Sequence, residues 1–402
     1  MTPAARQAAA IGILDRWIAG QPVEAALTHW ARASRFAGSG DREAVRDLVF
    51  RAVRQWRSLA ALGGGEGGRA LLLGMARADG VPAQGWTGEG HTPPPPDADE
   101  VALLAAPAPA LSRGEALDCP DWMLPLFDAA LDEHSDAVLG LMRDRAPVFV
   151  RVNSARASRD AVAAELVAEG IAATPHPLAE TALEITSNAR RLRNTAAFDE
   201  GRFEMQDAAS QAVVLAFLRH AAPGPVLDYC AGGGGKALAL AARGMRVSAH
   251  DIDPRRMRDL PLRARRAAAV VRVLDAAPGG GWPAILADAP CSGSGSWRRA
   301  PEAKWRLTPG RLAELTGIQD EILHRCAALT APGGVLGYAT CSLLQAENEA
   351  RTAAFLGAHP GWHEVERLRL SPRDGGDGFY LSVLRRVQGA ILDLNAQPKV
   401  VT

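Results

Sequence analysis

Two cysteines stand at matching corners of this sequence. Asp288-Ala289-Pro290-Cys291-Ser292-Gly293 and Tyr338-Ala339-Thr340-Cys341-Ser342 each follow a short apolar run, Ala284 to Ala287 and Val335 to Gly337. Such runs read as buried strands, which puts both thiols at carboxyl ends of strands, where open α/β sheets carry their chemistry. The chemistry a thiol brings to such a place is nucleophilic attack as the thiolate.

A glycine turn supplies a second feature. Asp228-Tyr229-Cys230-Ala231-Gly232-Gly233-Gly234-Gly235-Lys236 links a strand, Val226 to Asp228, to a helix, Lys236 to Arg243. A phosphate-binding P-loop is excluded, because Cys230 stands where its first glycine belongs and Ala237 follows the lysine instead of Ser or Thr. The turn fits a close backbone approach to an adenosine-type ligand, with Asp251 at the end of the next strand able to accept from ribose hydroxyls. S-adenosylmethionine and a nicotinamide both remain open on these residues alone.

The elements that must position these groups follow from the pattern. Strands at Val247 to His250, Val271 to Leu274, Ile285 to Ala287 and Val335 to Tyr338 alternate with turns and helices, which specifies a doubly wound sheet. Upstream, helical spacing over Ala8 to Ile18, Val23 to Trp30 and Asp41 to Leu62 predicts an all-α domain over 1–110. Glycines 63, 64, 65, 67 and 68 and the Gly/Pro-rich stretch 79–97 are expected to be loops. A small α+β module is expected over 118–205, with helices at Trp122 to Met142 and Ser158 to Gly170 and strands at Val148 to Val152 and Leu183 to Ile185. The large domain then spans 206–390, followed by a tail, 391–402.

Composition narrows the setting. Across 402 residues there are 45 basic and 45 acidic side chains, so affinity for a polyanion must come from local clustering. Five cysteines, an odd number without a C-x-x-C pair, argue against a disulfide framework and against structural zinc, and no metal site is expected. Met1 to Gly20 lacks the apolar core of a signal peptide or membrane span. A cytoplasmic protein without a membrane partner is expected.

The ordered set Asp228-x-Cys230-Ala231-x-x-Gly234-Gly235-Lys236, Asp251-Ile252-Asp253, Asp288-Ala289-Pro290-Cys291-Ser292-Gly293-x-Gly295-x-x-Arg298-Arg299-x-Pro301-x-x-Lys304-Trp305 and Tyr338-x-Thr340-Cys341-Ser342, with Glu347-Asn348-Glu349, resembles the RNA 5-methylcytosine methyltransferases of the Nol/Nop/Sun group. The likeness extends upstream through Pro147-Val148-x-x-Arg151-Val152-Asn153 and Gly201-x-Phe203-Glu204-x-Gln206-Asp207-x-x-Ser210-Gln211. The helical N-terminus is similar to the NusB-like RNA-binding domain of the bacterial small-subunit enzymes, here shortened. Gly233 departs from the family's usual proline and Ala237 from its frequent threonine, giving a more pliable turn that keeps its backbone donors.

The resemblance implies a Rossmann-like class I methyltransferase domain with a mostly parallel seven-stranded sheet, S-adenosylmethionine as cofactor, and RNA rather than DNA as substrate, chiefly 16S rRNA, acted on by a monomer. It implies that Cys341 attacks cytosine carbon 6, that Cys291 assists elimination, and that Asp288 helps to protonate the base. Lys236 is added from the sequence itself, since it is one of three lysines, with 304 and 399, among the 45 basic residues; a compact ammonium is wanted where a planar guanidinium would not fit. Cofactor contacts are expected from Asp228, Cys230, Ala231, Gly232, Gly233, Gly234, Gly235, Lys236, Asp251, Ile252, Asp275 and Asp288. RNA contacts are expected from Arg298, Arg299, Lys304 and Trp305, where basic groups interleave with indoles. Two further arginine series, 42, 46, 51, 54 and 57, and 255, 256, 258, 263, 265 and 266, read equally as solvated helix faces or polyanion contacts. A transfer-RNA enzyme, a non-catalytic ribosome-assembly factor and a dehydrogenase stand as alternatives.

Overall fold

The computed structural model describes residues 1–81 and 85–388; the tail 391–402 and the last residues of the large domain lie outside the described residues. Five helices, Pro3–Ile18, Val23–Ala33, Ser39–Arg54, Trp56–Gly63 and Gly68–Asp79, build the N-terminal domain around Ile13, Leu14, Val45, Val49, Leu59 and Leu71. The helix expected over Asp41 to Leu62 is broken at Gln55. The loop expected at glycines 63 to 68 is in part a helix start, because these glycines serve packing as well as turning. A Cβ on Gly74 would lie 2.0 Å from the Leu59 carbonyl oxygen and one on Gly63 1.9 Å from that of Ala70, so the two helices touch backbone to backbone. A short helix at Ala98–Ala105, capped by Asp97 and Glu100, follows the proline run.

The small module is a four-stranded antiparallel sheet of β1 (Val148–Val152), β2 (Ala173–Pro175), β3 (Ala182–Ile185) and β4 (Phe203–Met205), ordered β2-β3-β1-β4. Its helix Arg159–Ala168 starts at Ser158, whose hydroxyl caps it. The helix expected over Trp122 to Met142 is two, Leu124–Leu131 and Ser135–Leu141, with Asp132 between them at φ 48°. Met123, Phe127 and Leu139 from this segment pack on Trp297, Leu315 and Leu343 of the large domain.

The large domain holds β5 (Pro225–Asp228), β6 (Arg246–Ala249), β7 (Val271–Val273), β8 (Trp282–Asp288), β9 (Thr330–Thr340), β10 (Trp362–Leu370) and β11 (Phe379–Arg386) in the order β10-β11-β9-β8-β5-β6-β7. β5 to β9 are parallel, and β11 lies antiparallel between β9 and β10. The chain winds outward from β5 through β6 to β7, then returns to β8 on the other side. The carboxyl ends of β5 and β8 therefore flank the switch point, where doubly wound sheets leave a crevice. Leu336, Tyr338, Ile285 and Leu227 in the central strands are fully buried, each aliphatic one stabilising the sheet by about 1.5 to 3 kcal/mol. Gly337 is needed in β9 because a Cβ there would come within 2.6 Å of the Phe217 ring on helix Ala208–Leu218.

The helical domain docks through one helix end. The last carbonyls of Ser39–Arg54 have no partners within their own helix. Trp305 Nε1 donates to the Val53 carbonyl at 2.7 Å and Lys304 Nζ to that of Arg54 at 3.2 Å. Trp17, Trp56 and Trp305 continue the contact edge to face, with centroids 5.0 and 5.3 Å apart.

Candidate active site

The two cysteine corners meet. β8 and β9 are neighbours with Asp288 opposite Ala339, and the loops that continue them place Cys291 Sγ 3.4 Å from Cys341 Sγ. The Ser296 hydroxyl lies 3.9 Å from Cys341 Sγ. The thiols titrate as a pair. A hydrogen bond from Cys291 draws Cys341 below the ordinary thiol range, aided by the Lys236 ammonium, while the same bond, with burial, pushes Cys291 well above it. The first proton to leave the pair thus leaves the anion on Cys341.

Lys236 opens the helix Gly235–Ala241 and reaches across to Asp288, Nζ to Oδ2 2.6 Å, over the face of Phe379. Its side chain is only 8% exposed. Burial opposes the ammonium, but the charge and hydrogen bond of Asp288 outweigh it, so Lys236 sits above its usual pKa.

The glycine turn begins where β5 ends. Gly234 has φ 81°, and a Cβ there would lie 2.2 Å from Leu260, so no other residue fits. Asp228, at the last position of β5, is buried, and neither carboxylate oxygen has a partner in hydrogen-bonding geometry. Burial, with the Asp288 charge nearby, pushes it up to about 7. Asp251 accepts from the Gly232 amide at 2.9 Å and the Asp253 amide at 3.0 Å and pairs with Arg256 at 3.1 Å.

Two chambers that share Cys230 and Arg256 run along this edge. The larger, about 630 Å³, is lined by Tyr229, His250, Asp251, Ile252, Pro290 and Ile322 among others, and the smaller, about 300 Å³, by the glycine turn with Asp228, Lys236 and Asp288. Apolar and aromatic walls with an acid, Asp251, at a strand end suit a nucleoside, and an orphaned carboxylate beside the glycine turn suits a charged tail. The residues present therefore fit S-adenosylmethionine. Asp228, Cys230, Ala231, Gly232, Gly233, Gly235, Lys236, Asp251, Ile252 and Asp288 line one chamber or the other, and Gly234 forms the bend beneath. Asp275 is different: it is exposed, in the bend after β7, and lines neither chamber.

The four expected RNA contacts differ in their surroundings. Arg298 is 5% exposed, donates to the Gly376 carbonyl and lies 3.6 Å from Asp377. Lys304, 3% exposed and lowered to about 8 by burial, and Trp305 hold the helix end described above. Arg299 alone keeps a partly open face, while pairing with Asp207 and Asp377 at 2.7 Å each. The expectation is corrected for Lys304 and Trp305, which are committed to carbonyls of the helical domain, because a charge or indole that reads as surface in sequence finds a backbone acceptor in the fold; Arg298, though buried, and Arg299 line one cavity together. The first arginine series is likewise engaged, Arg46 with Glu24, Arg51 with Asp79, Arg57 with Asp121, Arg42 with the Ala37 carbonyl, and Arg54 buried. In the second, Arg263 and Arg266 share Glu204, and Arg255 and Arg256 pair with Asp253 and Asp251.

Sequence reasoning gave no role to Glu347. This fully buried carboxylate accepts from the Ser292 amide at 2.8 Å, from the Ser292 and Ser342 hydroxyls at 2.5 Å each and from Gln319 at 3.1 Å. Asn348 completes the tie, accepting from Thr340 and donating to the Ser342 carbonyl. The residue after each cysteine is thus fastened to one acid. A lone Glu-Asn pair five residues beyond a Thr-Cys-Ser corner was the available signal.

A parallel sheet with an antiparallel β11 inserted beside β9, a glycine turn after its first strand and polar residues at the ends of β5, β6 and β8 define a methyltransferase of the Rossmann-like class. The chain belongs to the RsmB/F family: residues 214–385 match the family described as 16S rRNA methyltransferase RsmB/F, and residues 119–190 match the ferredoxin-like domain of the same proteins. It is 32% identical over 286 residues to ribosomal RNA small subunit methyltransferase B of Yersinia pseudotuberculosis, and equally to that of Yersinia pestis, the match taking in 66% of this chain and 66% of the relative. In fold it is similar to the crystal structure of PH0851 (TM-score 0.76, 21% identity, 96% of this chain and 99% of that one). It is also similar to NSun6 from Pyrococcus horikoshii, solved with SFG (TM-score 0.60, 18% identity, 69% and 100%). No helix among the described residues is long and apolar enough to cross a membrane.

Proposed function

We propose that this protein methylates carbon 5 of a cytosine in RNA, with 16S rRNA as the substrate, through a covalent adduct on Cys341. The observation that carries the reading is the 3.4 Å thiol pair at the junction of the cofactor-shaped cleft and a basic trench. Three adjoining cavities make that trench: one on the small sheet shares Arg145 with a second, which shares Phe50 and Arg299 with a third that reaches Cys291. Arginines 145, 190, 299, 306 and 311 line it. Arg145, Arg190, Arg306 and Arg311 hold partly exposed carboxylates, in pairs weak enough for phosphates to displace.

Carbon 5 of cytosine is a poor nucleophile until a thiolate adds to carbon 6. Cys341 makes that sulfur–carbon bond, and the carbon 5–carbon 6 electron pair moves toward carbon 5. The Lys236–Asp288 pair presents a proton to ring nitrogen 3, so the adduct does not carry an extra negative charge. S-adenosylmethionine, when bound, supplies the electrophilic methyl group. Cys291 then takes part in removing the carbon 5 proton, the nitrogen 3 proton returns to the Lys236–Asp288 pair, and the sulfur–carbon bond breaks to restore the neutral ring and the Cys341 thiolate. The cytosine must leave its stack to reach this depth. A tritiated-methyl assay on RNA tests the reading: Cys341→Ala is expected to abolish incorporation, and retained turnover would reject it. Bisulfite sequencing of RNA from a deletion strain identifies the nucleotide.

A further inference from the structure

The cofactor contacts read from the sequence lie in the glycine turn and at the strand ends of the large sheet, yet the smaller chamber is also lined from the junction with the module before it. Met205, at the end of β4, with Gln206 and Ser210, lines the chamber across from Asp228 and Lys236. Behind Gln206 lies Arg151 of β1, buried, its Nε donating to Gln206 Oε1 at 2.6 Å. Glu204 stands directly opposite Arg151 across the strands, but it is committed to Arg263 at 2.9 Å and Arg266 at 2.5 Å. Among the described residues no carboxylate lies within ion-pair distance of Arg151. One buried acid is thus taken up by two guanidiniums and leaves the third, Arg151, without an ion pair, while Arg263 also donates to the Gly233 carbonyl at the chamber's edge. Loss of water pulls Arg151 down to about 10.

The chamber thus has surplus positive charge behind one part of its lining and, in the same lining, a carboxylate, Asp228, that no ion pair or side-chain hydrogen bond meets. Buried charges of either sign are costly unless paired. One ligand end satisfies both: a zwitterion with adjacent ammonium and carboxylate. The orientation of the Gln206 amide is also set. Because Arg151 N–H points at its oxygen, its NH2 group turns the other way, where one hydrogen goes to the Ser210 hydroxyl at 3.1 Å and the second remains for a ligand.

Resting on the S-adenosylmethionine reading above, we propose that Gln206, oriented by Arg151, and Ser210 seat the carboxylate of the cofactor's amino-acid end while Asp228 takes its ammonium. The small module is then part of the cofactor site as well as a neighbour of the RNA trench. Arg151 is a positioning residue; Gln206 and Ser210 are the contacts.

Calorimetry with two ligands separates the possibilities. S-adenosylhomocysteine carries the amino-acid end, and 5′-methylthioadenosine is the same thionucleoside without it. Gln206→Glu keeps the side-chain shape, ties to Arg151 and repels a carboxylate. It is expected to weaken S-adenosylhomocysteine binding about tenfold or more and to leave methylthioadenosine binding within about twofold. Ser210→Ala is expected to act in the same direction, by severalfold, and decides the matter alone if Gln206→Glu does not fold. Unchanged S-adenosylhomocysteine binding, or equal loss of both ligands, would overturn the inference and leave the cofactor reading standing. Wild-type protein that binds neither ligand would overturn both.

Discussion

Cys291 and Cys341, fifty positions apart in the chain, bring their sulfurs to 3.4 Å because β8 and β9 are parallel neighbours whose end loops are fastened to one buried acid. This spacing lets one thiol hold the other as its anion, and it places both beside the Lys236–Asp288 pair. A redundant thiol has no reason to sit there. On the proposed reading the two thiols take two separate tasks at one carbon–carbon bond of the substrate.

Glu347 should behave as the keystone of both loops. In Glu347→Gln one acceptor oxygen becomes a donor that faces the Ser292 amide or the two serine hydroxyls. The expected cost is about 2 to 4 kcal/mol of unfolding free energy, with methyl transfer falling further than cofactor affinity. Chemical denaturation beside calorimetry checks this; a variant of wild-type stability and activity would count against it.

Asp228 gives cofactor binding a pH signature. Its folded pKa, raised to about 7 by burial and the Asp288 charge and only partly offset by Lys236, means that the free protein holds a proton there below neutrality. A ligand ammonium needs the carboxylate. S-adenosylhomocysteine affinity should therefore rise by up to about tenfold per pH unit from 5 toward 7 and level off above, while methylthioadenosine affinity stays flat. Asp228→Asn should weaken the former and remove the slope.

Lys304 makes domain docking sensitive to alkali. Its pKa is lowered from 10.5 to about 8, by burial first, against the favourable charge of Asp118. Below pH 8 both folded and unfolded chains carry the proton and the burial cost is fully present. Between pH 8 and 10.5 the unfolded chain holds more of the proton, so this group's contribution to stability improves as pH rises. Melting temperatures of wild type relative to Lys304→Met should increase from pH 8 to 10; a constant difference would contradict the assignment.

Much of the site was legible before the fold. The apolar runs at Val226 to Asp228 and Val335 to Tyr338 are strands, as short apolar stretches bounded by turn signals and ending in a polar corner suggest. What escaped reading depended on distant partners. Lys304 and Trp305 find their acceptors some 250 residues away at a helix end, so their charges and indole looked free. Gly63 read as a breaker because a close approach of two backbones, here to the helix that carries Gly74, leaves no pattern in either segment. β10 and β11 went unnoticed from the pattern alone, since the half-exposed residues of β10 include glutamates and arginines that pair within the strand or with distant helices, Arg367 with Glu364 and Arg369 with Glu349. Arg151, Gln206 and Glu347 were visible as residues, but their roles exist only where three segments converge.

The most direct test of the covalent account is a denaturing gel of the protein incubated with substrate RNA and S-adenosylmethionine. Cys291→Ala is predicted to accumulate a protein–RNA band that resists denaturant, and Cys291→Ala/Cys341→Ala to show none. A band that persists in the double variant would place the nucleophile elsewhere and contradict the assignment of Cys341.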